Sequence, residues 1–234
     1  MPCLDIPATK SLTVSSKYPN SNINNKYIYI GNECSVKYIC YLYNDKCIYA
    51  RNECLAKYIS YLYFDISSIP GNIKNIYATL VLFKKPILCD EILYDEDDDY
   101  DYSSNNYDKH KFNNRYIIYP LSEYFSDYTT YKNRPKYDCS LEKSFFINEK
   151  NICEEIDITP IVSNWISGKI PNKGLMFKGE KKIKNLTKFF SVLNRDIKEI
   201  PFIKIYFETE KCFIPFTELS CTYSLFPQIK EKET

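Results

Sequence analysis

The feature that most limits what this chain can fold into is an internal repeat of alternating residues. Asn32-Glu33-Cys34-Ser35-Val36-Lys37-Tyr38-Ile39-Cys40-Tyr41-Leu42-Tyr43 recurs as Asn52-Glu53-Cys54-Leu55-Ala56-Lys57-Tyr58-Ile59-Ser60-Tyr61-Leu62-Tyr63, an offset of 52 − 32 = 20 residues. The match extends upstream, since Ile28-Tyr29 corresponds to Ile48-Tyr49. Tyr41 and Tyr43, like Tyr61 and Tyr63, are two residues apart, the period of a strand. Each copy reads as strand, Asn-Glu-Cys turn, strand, with Asn44-Asp45 turning the chain between copies. Residues 28–63 therefore predict a four-strand antiparallel meander made by duplicating a hairpin. Alternation puts Tyr41, Tyr43, Tyr61 and Tyr63 on one face, and Leu42, Leu62 and Phe64 on the other. In this meander Cys34 and Cys54 occupy equivalent turns two strands apart, about 9–10 Å at the usual strand spacing. A disulfide needs Cα atoms within about 7 Å. Cys34 and Cys54 are thus candidates for disulfides between chains.

A second stretch, 156–178, reads as strand, short helix, strand. Ile156 and Ile158 alternate around Asp157. Thr159 stands where an N-cap belongs, and Pro160 follows at the first helical position. Ile161, Val162, Trp165 and Ile166 share one face by the three-to-four spacing. Gly168 is placed to end the helix in a left-handed conformation, and Pro171-Asn172-Lys173-Gly174 is turn chemistry. The only tryptophan thus points inward from a helical plug near 160–167. Further strands are expected over 8–15, 73–83, 112–119, 144–147, 188–193 and 201–208, with a polar loop over 17–22. The sum is an all-β fold, a two-sheet antiparallel sandwich of jelly-roll type.

Composition bounds the rest. The 234 residues suit one large β domain, here 1–208, followed by a tail over 209–234 carrying Cys212 and Cys221. Residues 95–109, with Asp97, Asp98, Asp99 and Asp101, cannot bury anything and read as a mobile acidic loop. Those aspartates are at most weak calcium candidates, because the loop lacks the glycine and distal glutamate of an EF-hand. A formal net charge of +1 makes no electrostatic case for nucleic acid. No apolar run reaches the roughly 18 residues of a membrane span, so no membrane insertion is expected. Met1 to Pro7 lacks a basic region and an apolar core, so no signal peptide is expected. Ten cysteines without a C-x-x-C pair, and a single His110 beside the acidic loop, argue against a zinc site. Neither a nucleophile–base arrangement nor a phosphate-binding glycine loop can be assembled, so neither catalysis nor a cofactor is expected.

Five stretches resemble one family in the right order. They are Ala8 through Asn22, Tyr61 through Pro70 with Ile76 through Leu80, Ser122-Glu123 with Tyr128 through Pro135, Asp157 through Leu175, and Phe190-Ser191 with Pro201 through Ile205. The third has Tyr where tryptophan is usual. Over residues 8–208 the chain resembles the bacterial DNRLRE domain, also known as carbohydrate-binding module family 96. The resemblance implies a β-sandwich and a non-catalytic module of secreted or surface proteins, some of which bind acidic polysaccharide. It makes Asp65, Asp157, Trp165, Gly168 and Gly174 structural signature residues, the two aspartates holding loop backbone. It departs from the family in the 32–63 duplication.

Two partners follow. Tyr41, Tyr43, Tyr61 and Tyr63 either stack on the flat faces of a polysaccharide or pack against the second sheet or another subunit. Alternatively the chain self-associates into a surface layer of spore-coat or appendage type, cross-linked through Cys and Tyr. Such a layer is made in the cytosol and released by lysis, which requires no leader.

Overall fold

The computed structural model describes residues 2–39, 49–70, 73–85, 115–148, 150–180 and 186–209. The acidic loop with Asp97, Asp99 and Asp101, the residues Tyr41 and Tyr43, His110 and the tail after Thr209 lie outside the described residues. The architecture is all-β, sandwich-like and antiparallel, closing nearly into a barrel. Its strands are β1 (Cys3–Ser15), β2 (Tyr18–Ile23), β3 (Tyr27–Ile39), β4 (Tyr49–Phe64), β5 (Ile73–Phe83), β6 (Arg115–Pro120), β7 (Lys143–Phe146), β8 (Cys153–Asp157), β9 (Leu175–Gly179), β10 (Leu186–Phe190) and β11 (Phe202–Thr209). The α-helix α1 (Thr159–Ile166) lies between β8 and β9.

One path of paired strands runs β7-β6-β9-β4-β1-β11-β5-β8. The two layers join through β1. Cys3 to Pro7 pairs with β11, whereas Ala8 to Ser15 pairs with β4. A register shift between Ala8 and Lys10 marks the corner, since a bulge bends a strand and lets it change layers. Residues 17–22, expected as a loop, mostly belong to β2. Among the described residues this strand pairs only with the end of β1, so Pro19 sits where a missing N–H is tolerated.

The expected meander is instead a single hairpin. The described residues of the repeat copies, 32–39 and 52–63, lie in β3 and β4, which run antiparallel from Gly31↔Tyr58 to Ile39↔Tyr49. Asn-Glu-Cys is not a turn in either copy. It continues the strand, and the mismatch is absorbed by a register shift between Glu33 and Cys34. The physical reason is the pairing: residues 31–39 and 49–58 take their backbone partners from one another, so the ladder runs through Asn-Glu-Cys, and Gly31, at φ +117°, is accommodated within β3. Cys34 and Cys54 are therefore not two strands apart but directly opposed on neighbouring strands, which corrects the spacing expected from the sequence.

Inside, Leu62 and Phe64 of β4 meet Ile118 of β6, Phe177 of β9, Leu80 and Leu82 of β5, and Ile203 and Ile205 of β11, all fully buried. The plug α1 adds Ile161, Val162 and Trp165 to this core. Burying an indole contributes on the order of 3 kcal/mol. Pro160 opens the helix as expected, but Thr159 is not its cap. The Thr159 hydroxyl accepts from Ala78 N at 2.9 Å, and so fastens the helix to β5. Asp157 Oδ1 accepts from Thr159 N at 3.0 Å. Gly168, at φ +71°, ends the helix and donates its N–H to Trp165 O at 3.1 Å. Among the described residues one ion pair is interior: Lys84 Nζ lies 3.0 Å from Glu154, both almost fully buried, and also donates to Asn148 O.

Candidate functional site

The outer face of the β6-β9-β4-β1 layer is not solvated. Leu12, Val14, Ile59, Tyr61, Ile117, Tyr119 and Met176 form a second apolar cluster there, and Leu121 and Phe125 from the segment after β6 complete it. Residues 121–137 lie across this cluster as a roof. The roof is irregular, so its backbone groups need individual partners. Leu121 N donates to Gly174 O, Ser122 N to Lys136 O, and Asp138 N to Pro120 O. Asn22 on β2 donates its amide to Asp127 O at 2.6 Å and to Thr129 O at 3.1 Å. Asn133 Oδ1 accepts from Thr130 N and Oγ1, and its amide donates to Tyr128 O. Glu123 accepts from Lys136 N and pairs with Lys136 Nζ at 3.1 Å. The first of these contacts holds the Glu123 carboxyl below its usual range.

Beneath the roof Tyr61 is completely buried and stacks on Phe125, ring centroids 5.5 Å apart. Desolvation pushes its hydroxyl far above the normal tyrosine range. That hydroxyl has no hydrogen-bond partner among the described residues, and neither has the Trp165 indole N–H. Tyr61 is therefore not available to a ligand, which removes it from the binding face expected from the sequence. Tyr63, next on that face, is half-buried with its ring 6.4 Å from Tyr124.

Above the roof the exposed aromatics are Tyr124 (65% exposed), Tyr128 (86%) and Tyr137 (36%). Cations accompany the rings. Lys173 Nζ lies 5.6 Å from the Tyr124 centroid while donating to Ser122 O, and the Arg134 guanidinium lies 4.0 Å over Tyr131. Lys178 Nζ lies 4.5 Å from the Tyr119 ring and 5.0 Å from Tyr137. Tyr119 donates to Glu142 at 3.0 Å, and burial together with that bond raises its pKa. The surface thus presents aromatic faces beside positive charge and few apolar side chains other than rings.

Gly174 joins the roof to the sheet. It has φ +99°, and a Cβ there would sit 2.6 Å from Leu62 O and 3.3 Å from Phe125 Cε1. Asn172 beside it donates to Phe64 O at 2.7 Å and accepts from Gly174 N. Asp65 accepts from Ser67 N, which lowers its pKa and turns the chain after β4. At Asp157 burial acts upward, but the Thr159 bonds and nearby Lys143 outweigh it and the pKa falls.

A cleft of about 140 Å³ is lined by Ser140, Glu142, Lys143 and α1 residues Pro160 and Ile161. It is smaller than the roughly 300 Å³ at which small-molecule pockets begin. No group of three or more His, Cys, Asp or Glu able to hold a metal exists among the described residues. No helix there is long and apolar enough to cross a membrane.

No family model and no curated protein matches this chain. Of the four tyrosines expected to bind, only Tyr63 is described with a partly open ring. Tyr124, Tyr128, Tyr137, Lys173 and Lys178 were not singled out for binding by sequence reasoning. The one signal for the three tyrosines was the density of Tyr and cations in residues 122–137, between two strands.

Proposed function

We propose that the chain is a non-catalytic, carbohydrate-binding protein of the bacterial surface or extracellular space. The observation that carries this reading is the roof surface, where Tyr124 and Tyr128 stand exposed and Lys173 lies beside the Tyr124 ring. Open aromatic faces suit the flat apolar faces of sugar rings, and adjacent cations suit anionic or hydroxyl-rich ones. An open face also fits an extended chain better than a small cleft does. The likeness to the DNRLRE domain supports the same class of ligand. The test is affinity electrophoresis and a glycan array with purified protein. Saturable binding is expected, weakened at least tenfold in the Tyr124→Ala, Tyr128→Ala double variant with an unchanged melting temperature. Absence of retardation by any neutral or acidic polysaccharide would overturn the reading.

A second reading, self-assembly into a structural surface layer, is favoured by Cys3 and Cys139, which are exposed free thiols. It expects native material to run as reducible multimers on non-reducing gels. Monomers with free thiols would exclude it.

A further inference from the structure

We propose that Cys34 and Cys54 form a disulfide within one chain, across the β3/β4 pair. The antiparallel register places them directly opposite one another. Opposed Cα atoms in such a pair lie about 4.5–5.5 Å apart, within the roughly 4.4–6.8 Å that a disulfide bridges. Opposed residues also share one face of the sheet. The coincidence is built into the repeat. Equivalent residues are 20 apart, and 54 − 34 = 20, so Cys34 and Cys54 are the one pair of equivalent residues that the register brings face to face.

Leu55 is the extra residue of a bulge between this pair and Glu33↔Ala56, and the register below the bulge is anchored. Tyr58 donates to Glu33 at 2.9 Å, Lys17 pairs with Glu33 at 3.5 Å, and the Tyr29 and Tyr58 rings meet at 5.9 Å. Ala56, opposite Glu33, is buried. A slip by one residue would turn this whole set to the opposite face. Beyond this anchor the sheet narrows. β1 leaves β4 at the Ser15↔Tyr58 pair, and β10 leaves β3 at Leu186↔Gly31. From Cys34 to Ile39 and from Tyr49 to Cys54 the two strands pair only with each other among the described residues. An isolated two-stranded ribbon is marginal in water. The two cysteines stand at the base of this ribbon, where a covalent link replaces the missing neighbours.

The chemistry needs a disulfide oxidant of low molecular weight. One cysteine thiolate attacks it and expels a thiolate, leaving a mixed disulfide. The second cysteine attacks that bond and expels the other half. One protein disulfide forms, the reagent is reduced to two thiols, and both protons leave with them. Pairing within the chain outruns pairing between chains because the partner is already held opposite.

Trypsin separates the relevant thiols without any substitution. Cleavage after Lys26, Lys37, Lys46, Arg51 and Lys57 leaves Cys34, Cys40, Cys47 and Cys54 in peptides 27–37, 38–46, 47–51 and 52–57. The full chain is oxidised with glutathione disulfide, alkylated, separated by size under non-reducing conditions and digested. The expected product is peptide 27–37 linked to 52–57 in the monomer fraction, in a yield that does not change over a hundredfold dilution. Recovery of both peptides alkylated, linkage of either to 38–46 or 47–51 instead, or linkage confined to covalent dimers would overturn the proposal. None of these outcomes depends on what the tyrosine surface binds.

Discussion

One strand, β4, feeds two cores that are built differently. Its residues Leu62 and Phe64 enter the core between the layers, while Ile59 and Tyr61 enter the cluster under the roof. The inner core is closed by regular strands and by α1, whose backbone groups are mostly satisfied within the element. The outer cluster is closed by an irregular segment held by side-chain bonds from Asn22, Asn133, Glu123 and Lys173. Local stability follows from such differences, since segments with fewer internal bonds open at lower cost. The lesson is that this fold puts its rigid closure at the plug and its adjustable closure at the surface proposed to bind ligand.

The largest effect should come from the plug. Trp165→Ala is expected to cost about 3–5 kcal/mol, read as a shift in the denaturation midpoint followed by circular dichroism. Phe125→Ala removes a similarly buried ring under the roof and should cost less, because a loop can settle into the space. Its distinct signature is faster amide exchange over 121–137 with little change in β5 or β11. Equal costs and no local change in exchange would break the distinction between the two closures.

Gly174→Ala tests the seam between them. The left-handed φ and the contact with Leu62 O together should cost on the order of 3 kcal/mol. Gly168→Ala meets no atom within 4 Å and bears only the strain of its φ, so about 1 kcal/mol is expected. Reversal of that order would mean that Gly174 does not hold the roof down.

Acid and alkali should act on different regions. Asp157 beside the plug has a depressed pKa, so its contribution is full above the unfolded carboxylate range and is lost as pH falls through the folded value. Asp157→Asn should therefore flatten part of the stability loss on acidification. Tyr58, at the base of the ribbon, has its pKa pushed up to about 12 by burial and by its bond to Glu33. Its contribution is complete below the unfolded value of about 10 and disappears as pH rises through about 12. Tyr58→Phe should remove that alkaline step, visible in a pH series of midpoints.

The smallest effect is the most pointed. Tyr61→Phe deletes a buried hydroxyl without a partner among the described residues. It should leave stability unchanged or raise it slightly, within about 1 kcal/mol. A clear destabilisation would show that the hydroxyl is satisfied and that the roof is tighter than its bonding suggests.

The residues themselves announced much of this molecule. Alternation in 28–30, 59–64 and 73–83, the Pro160-to-Gly168 punctuation and the inward Trp165 are local signals, and local geometry decides them. The hydrogen-bonding use of Asp65 and Asp157 is equally local, since each accepts from a backbone N–H two residues on. What alternation could not decide is what covers a face. Tyr61 and Leu62 are both buried, and only the tertiary path of 121–137 closes over the tyrosine side. Register escaped for the same reason. A repeat of 20 residues is compatible with turns at Asn-Glu-Cys or with strands running through it, and the choice rests on the pairing of β3 with β4. Sequence by itself determined an all-β chain with a helical plug, because period and punctuation are properties of neighbours. Which tyrosines are open, and that Cys34 stands opposite Cys54, were decided by contacts between residues far apart in the chain.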